Sequence, residues 1–332
     1  MVYLDDSIMQ KGCLATAGSR ILENFTAPFD ATVVSRLASA SGPLASGAEK
    51  IERVKLSEFG LGEIGELKGS PMLCNDVFGF VRRRAVKQGL CYIRPTYGTV
   101  SRFGLIPVAS SMDQIGIVCK SPMEGFSLLS AIAGYDENDG AMFPEKSYSY
   151  KATGKEIKWA VLGPCNADSA PELFVKGKGI KAIVCKDDYA GAYDHVMQIL
   201  SFAEISNNIS RYDGIKFGFR ASNYRNLDGL YTMTRTEGFG LEAKLAALMG
   251  VVVLTKDYYE MFYDKAMRIR RLVKESLKFD EYDVIVLPDS SPLAVLAGLP
   301  SLTFAYKGMG VQLAAGVRNE NMLLKAWEAA QS

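Results

Sequence analysis

The sequence predicts a single α/β domain in which a mixed central sheet carries helices on both faces. Three observations predict it. Strand-like apolar runs at 159–163, 180–185 and 284–288 alternate with helical segments at 189–205, 241–254 and 258–277, the pattern of a sheet covered on both sides. The chain has 332 residues, 48% hydrophobic and 23% charged, enough to bury a large core. No internal repeat, low-complexity tract or linker divides it, so one domain over 1–332 is the simplest organisation.

The elements follow in order. Val2-Tyr3-Leu4 is a short strand, and a helix over 31–40 begins after Asp30, a residue type suited to an N-cap. Residues 39–47 are small and polar and form a loop. Short apolar runs stand at 90–93 and 117–119. Residues 122–133 have apolar positions at 123, 126, 129 and 132 with Gly134 as a stop, which gives a helix. The helix over 258–277 sets apolar 262, 266, 269 and 273 against Lys265, Arg268, Arg270, Arg271 and Lys274, a solvated basic face. After Asp283 the run Val284-Ile285-Val286-Leu287-Pro288 has no polar alternation, so it is expected as a central strand buried on both faces. Residues 320–330 close the chain as a helix.

Composition excludes several functions. A net charge of +1 provides no global basic field, so direct nucleic-acid binding is not expected. The six cysteines, at 13, 74, 91, 119, 165 and 185, form no C-x-x-C pair and are expected as buried thiols in a reducing compartment. The only histidine, His195, is expected on a helix surface. No metal and no cofactor are expected. No apolar run reaches the roughly 18 residues of a membrane span, and Asp5 and Asp6 stand where a signal peptide carries basic residues. A soluble cytoplasmic protein is the expectation.

Residues 94–104 (RPTYGTVSRFG) followed by 109–116 (ASSMDQIG) resemble the amidase-signature family, in the block just after its catalytic loop. The branch most similar is the A subunit of the glutamine-dependent Glu-tRNA(Gln) amidotransferases. Further segments fit in the same order: 10–12 through 19–25, 30–34, 208–218 (NISRYDGIKFG), 234–240 (TRTEGFG), 282–288 and 297–300. The resemblance implies that family's α/β fold, in a shortened version. The family's chemistry is that of a Ser-Ser-Lys amidase. One serine attacks the amide carbon, a second relays its proton to a neutral lysine, and backbone N–H groups receive the oxyanion.

Those parts are not matched here. The resemblance places the family's lysine at Asp5 and its nucleophilic serine at Phe80, although Asp76, Gly79 and Arg82 of the same loop keep their places. The Gly- and Ser-rich stretch that supplies the relay serine has no counterpart; Leu67-Lys68-Gly69-Ser70-Pro71 fills the interval. The family's N-terminal helices have no counterpart either. Loss of one member of such a unit already removes most of its rate, so no catalytic residue is assigned.

Ser70 beside Lys68 is a chance-level Ser/Lys pair. Cys74 and Cys91 flank the loop without a histidine to activate them. Arg82-Arg83-Arg84 with Lys87 reads as a solvated turn rather than an RNA patch. Ser110, Ser111, Asp113 and Gln114 belong to the block that shapes the family's pocket. They are expected as a vestigial ligand-binding pocket, holding its loop through side-chain-to-backbone hydrogen bonds. The expected function is binding or scaffolding by an amidase-fold protein. Partners are chains like the B and C subunits of the amidotransferase, or a second copy. The alternatives are an amidotransferase or amidase working with altered residues, and a decaying paralogue.

Overall fold

The computed structural model describes residues 1–39, 51–152, 154, 156–163 and 168–331. Its strands are β1 (Val2–Asp5), β2 (Ile51–Val54), β3 (Met72–Asn75), β4 (Cys91–Arg94), β5 (Ile115–Cys119), β6 (Trp159–Gly163), β7 (Ala182–Lys186), β8 (Val284–Pro288), β9 (Ser301–Tyr306) and β10 (Met309–Ala315). They form one mixed sheet in the order β2-β1-β3-β5-β4-β9-β10-β8-β6-β7. The two ends of the sheet are parallel, and the middle from β3 to β8 is antiparallel. β9 and β10 are a two-residue hairpin through Lys307 and Gly308, whose φ angles of 48° and 79° match the twist of the flanking strands.

The helices are α1 (Thr32–Ser39), α2 (Phe80–Lys87), α3 (Pro122–Ile132), α4 (Ala170–Gly177), α5 (Tyr193–Ile209), α6 (Leu227–Gly238), α7 (Leu241–Leu254), α8 (Lys265–Ser276), α9 (Leu293–Ala297) and α10 (Glu320–Gln331). On β8, Val284 and Val286 face a core shared with α1, α3, α4 and α10. Ile285 and Leu287 face a second core shared with α5, α8 and α9. Because both faces of β8 are covered, its apolar run is continuous rather than alternating. It lies between β10 and β6, third from one edge of the sheet, an interior buried strand as the sequence predicts though not at the sheet's centre.

Other expectations are corrected by tertiary contacts. The helix expected over 31–40 begins at Thr32, and Asp30 does not cap it: its carboxylate accepts from the Lys11 N–H at 2.7 Å. The loop expected at 39–47 lies outside the described residues from residue 40 onward. The helix expected over 258–277 divides into a π-helical turn at Glu260–Asp264 and α8. Its basic face is only partly solvated. Arg268 and Arg271 form exposed pairs with Asp264 and Glu275, whereas Arg270 is buried. His195 is exposed on α5, as expected. Cys74, Cys91 and Cys119 are buried, whereas Cys13 and Cys185 are only partly so; Cys165 lies outside the described residues. Burial pushes the Cys91 thiol up to about 11 and Cys74 well above its ordinary range, which leaves both as inert thiols.

α5 and α7 approach closely through small residues. Ala243, Ala246 and Gly250 are buried on α7, and a Cβ on Gly250 would stand 2.1 Å from the Phe202 carbonyl oxygen and 2.6 Å from Ser206. Helix propensity favours alanine over glycine by about 1 kcal/mol, but backbone overlap at this distance outweighs it. Gly250→Ala is expected to destabilise the fold by roughly 1–3 kcal/mol, read from the denaturant midpoint. A raised midpoint would show that the two helices separate at little cost.

Candidate functional site

The loop that the resemblance aligns with the family's nucleophile loop follows β3. Asp76 follows the strand, Gly79 takes the left-handed conformation at φ 82°, and α2 begins at Phe80. The Asp76 carboxylate accepts from the Val81 and Arg82 N–H groups at 3.0 and 3.1 Å, using two of the free donors of the helix N-terminus. Arg82 lies 3.7 Å from Asp76 and is 2% exposed. Its Nε donates to the Asp289 carbonyl at 2.7 Å and its Nη2 to that of Ser291 at 3.0 Å. One guanidinium therefore ties the loop after β3 to the loop after β8. Gly79 is required as glycine because a Cβ would lie 2.6 Å from that guanidinium.

The basic run on α2 is thus a helix, not the solvated turn its composition suggests. Arg82 is buried, Arg83 stacks over the Phe80 ring at 4.9 Å, and Arg84 donates to the Ile64 carbonyl at 2.7 Å. Only Lys87 of the group is exposed.

Beside this loop, β1 pairs with β3 and ends at Asp5. Asp5 is buried and accepts from the Ser7 hydroxyl at 2.5 Å. Burial, reinforced by the adjacent Asp6 carboxylate, raises its pKa to about 7 against the opposing Ser7 hydrogen bonds. Asp5, Ser7, Asn75, Asp76 and Phe80 line a cavity of about 20 Å³, together with Leu56, Phe59 and Val108 among others. That volume holds about one water molecule. Phe78 does not plug it; that ring packs against Phe202 at 6.5 Å. On the wall of this cavity, the Ser7 hydroxyl and the Asp5 carboxyl form a contact between a nucleophile type and an acid. Sequence reading missed it because Asp5 draws attention as a lost lysine rather than as a partner for the residue two positions on. Ser70 and Lys68 are not brought together: the Ser70 hydroxyl is buried without a hydrogen-bond partner, whereas Lys68 is exposed.

Ser110, Ser111, Asp113 and Gln114 all make hydrogen bonds within the fold. Asp113 accepts from Asn75 Nδ2 at 2.8 Å and from the Val108 and Ala109 N–H groups at 3.0 and 3.1 Å; burial nonetheless raises its pKa. Gln114 accepts from the Gly98 N–H at 3.2 Å and donates to the Val100 carbonyl at 3.3 Å. The Ser111 hydroxyl donates to Glu204 of α5 at 2.5 Å and accepts from Arg270 of α8 at 2.7 Å. The Ser110 hydroxyl accepts from Asn208 at 3.2 Å. Glu204 and Arg270, which organise Ser111, are missed from sequence because each lies on a helix whose other charges are mostly solvated.

The four residues do not share one pocket. Ser111 lines an open hollow of about 540 Å³ with Thr96, Tyr97, Arg270, Arg271 and Lys274. Ser110 and Asp113 line a separate hollow of about 190 Å³ with Arg102 and Asp139, and Arg102 and Asp139 are themselves paired at 2.5 Å. Among the described residues, no group of three or more His, Cys, Asp or Glu is placed to hold a metal, and no helix is long and apolar enough to cross a membrane.

Comparison with known proteins fits this geometry. A family model described as Amidase matches residues 72–167 and 184–318. The A subunit of Glutamyl-tRNA(Gln) amidotransferase from Trichodesmium erythraeum is 31% identical, over 98% of this chain and 82% of that one. The corresponding protein of a Listeria monocytogenes strain is 34% identical, over 93% of this chain and 70% of that one. The crystal structure of the A subunit from Thermotoga maritima superposes with a TM-score of 0.69 at 25% identity, over 98% of this chain and 81% of that one. A 6-aminohexanoate cyclic dimer hydrolase shares the fold at a TM-score of 0.74 with 14% identity, over 100% of this chain and 84% of that one. A family model that covers most of the chain and relatives of 31% and 34% identity over nearly its whole length place this chain in the amidase family.

Proposed function

We propose that this chain is a non-catalytic member of the amidase family that works in the cytoplasm by binding a protein partner. The observation that carries this reading is the small size, about 20 Å³, of the cavity at the β3–α2 loop, with Phe80 and Asp5 on its wall. A phenyl ring cannot attack a carbonyl carbon. A space for one water leaves no room for an amide substrate next to Ser7. The relatives named as A subunits belong to an amidotransferase with further chains, so the partner in this reading is another component of that kind or a second copy.

The expected outcome of mixing the purified protein with glutamine, asparagine or simple amides is ammonia release at background. A rate above background that Ser7→Ala or Ser70→Ala abolishes would mean that a nucleophile has been rebuilt there, and the non-catalytic reading would be wrong. Co-purification with amidotransferase B and C subunits tests the partner.

A further inference from the structure

We propose that the solvent face of α7 is a self-association surface that pairs antiparallel with α7 of a second copy of this chain. This names the partner within the binding reading above, and it holds whether or not catalysis is retained.

From Leu245 to Leu254, α7 carries no polar side chain. Its buried face is made of Ala243, Ala246, Gly250 and Val253 and is satisfied by packing on α5. The opposite face exposes Leu241 by 76%, Leu245 by 52% and Leu248 by 62%. Helices that are apolar all round are normally enclosed, and contiguous exposed patches of this kind mark interfaces. Leu241, Leu245, Leu248 and Val252 follow a spacing of four, three and four residues, which is the seam by which one helix packs along another. The apolar surface continues past the helix end through exposed Tyr258, Tyr259, Met261 and Phe262.

Area and charge point to a second copy. At roughly 200 Å² for a fully exposed large side chain, the patch offers on the order of 800 Å², the amount each partner of a stable complex covers. Glu242, in the first turn of α7, and Lys256, just past its last turn, are both exposed, seven residues to either side of Met249. Antiparallel pairing about a two-fold axis sets Glu242 of each copy against Lys256 of the other, so the face is complementary to itself. Each acidic residue lies at a helix N-terminus and each basic residue just past a C-terminus, the polarity that helix dipoles favour. A membrane-surface helix would instead show an excess of Lys and Arg beside its apolar face; here Glu242, Asp257 and Glu260 balance Lys244 and Lys256.

The test is sedimentation equilibrium of the full chain, whose monomer mass is 36.2 kDa. The expected species is a dimer. Leu245→Glu with Leu248→Glu should give a monomer with an unchanged circular dichroism spectrum, because both side chains are already exposed. Glu242→Lys should weaken the dimer about tenfold by placing two like-charge pairs in it, and adding Lys256→Glu should restore it. A monomeric wild-type chain would overturn the proposal, as would a dimer indifferent to the leucine changes or a charge swap that fails to restore association. A monomer that floats with anionic phospholipid vesicles would overturn it too, and would assign the face to a membrane.

Discussion

Arg82→Ala is expected to lower stability by about 3–5 kcal/mol, the cost of removing one partner of a buried ion pair. The side chain is 2% exposed beside Asp76, and its Nε and Nη2 donate to the carbonyls of Asp289 and Ser291. Truncation leaves Asp76 with only the two N–H groups of α2, and it orphans the two carbonyls. It also opens a cavity between the loops after β3 and β8. Arg82→Lys should recover less than half of the loss, because an ammonium cannot span both carbonyls and the carboxylate as a planar fork does. Urea unfolding followed by circular dichroism measures both. A loss below about 1 kcal/mol for the alanine variant would show that the fork is not what joins the two loops.

Asp5→Asn is expected to stabilise the protein at alkaline pH and to change little in acid. The carboxyl has a pKa of about 7 in the fold, raised by burial and by Asp6 from 3.8. Between those values the folded state holds a proton that the unfolded state has released. The contribution is therefore fully present below pH 3.8 and is lost as pH rises through about 7, the direction opposite to that of a salt-bridged carboxylate. A rise of that size corresponds to a cost on the order of 4 kcal/mol above neutrality, which the amide removes while its oxygen still accepts from Ser7. The gain should be largest at pH 8 and shrink towards zero near pH 4, measured as the difference in urea midpoint between variant and wild type. Asp136 titrates in a separate window. Burial raises it, but hydrogen bonds from Ser101, Thr32 and Asn138 outweigh burial and hold it at about 2, so its contribution is lost only as pH falls below the ordinary carboxylate range. A uniform gain at every pH would mean that the gain does not come from the titration of Asp5.

Local signals explain which elements can be read from the chain. The bounds of α7 and the buried strand β8 are legible because apolar patterning over a few residues reports the burial of those residues. The β9–β10 hairpin escapes a sequence reading, although Lys307-Gly308 supplies a turn able to take positive φ, because the flanking residues alternate weakly. The helix α2 resembles a turn because three adjacent arginines look solvated; the carbonyls that bury Arg82 lie more than two hundred residues away. The same distance effect hides the roles of Glu204 and Arg270 at Ser111.

Residue identity and order are enough to establish the family and the α/β class, and to raise the expectation that positions 5 and 80 depart from the family's catalytic residues. The folded arrangement is needed to see that the space at Phe80 is only about 20 Å³ and that Asp5 meets Ser7 rather than solvent. It is needed equally to see that Ser111 and Asp113 line different hollows and that α7 leaves Leu241, Leu245 and Leu248 uncovered. Volume, burial and pairing are properties of segments that meet only after the chain has folded, and no local pattern encodes how completely two distant segments fill the space between them.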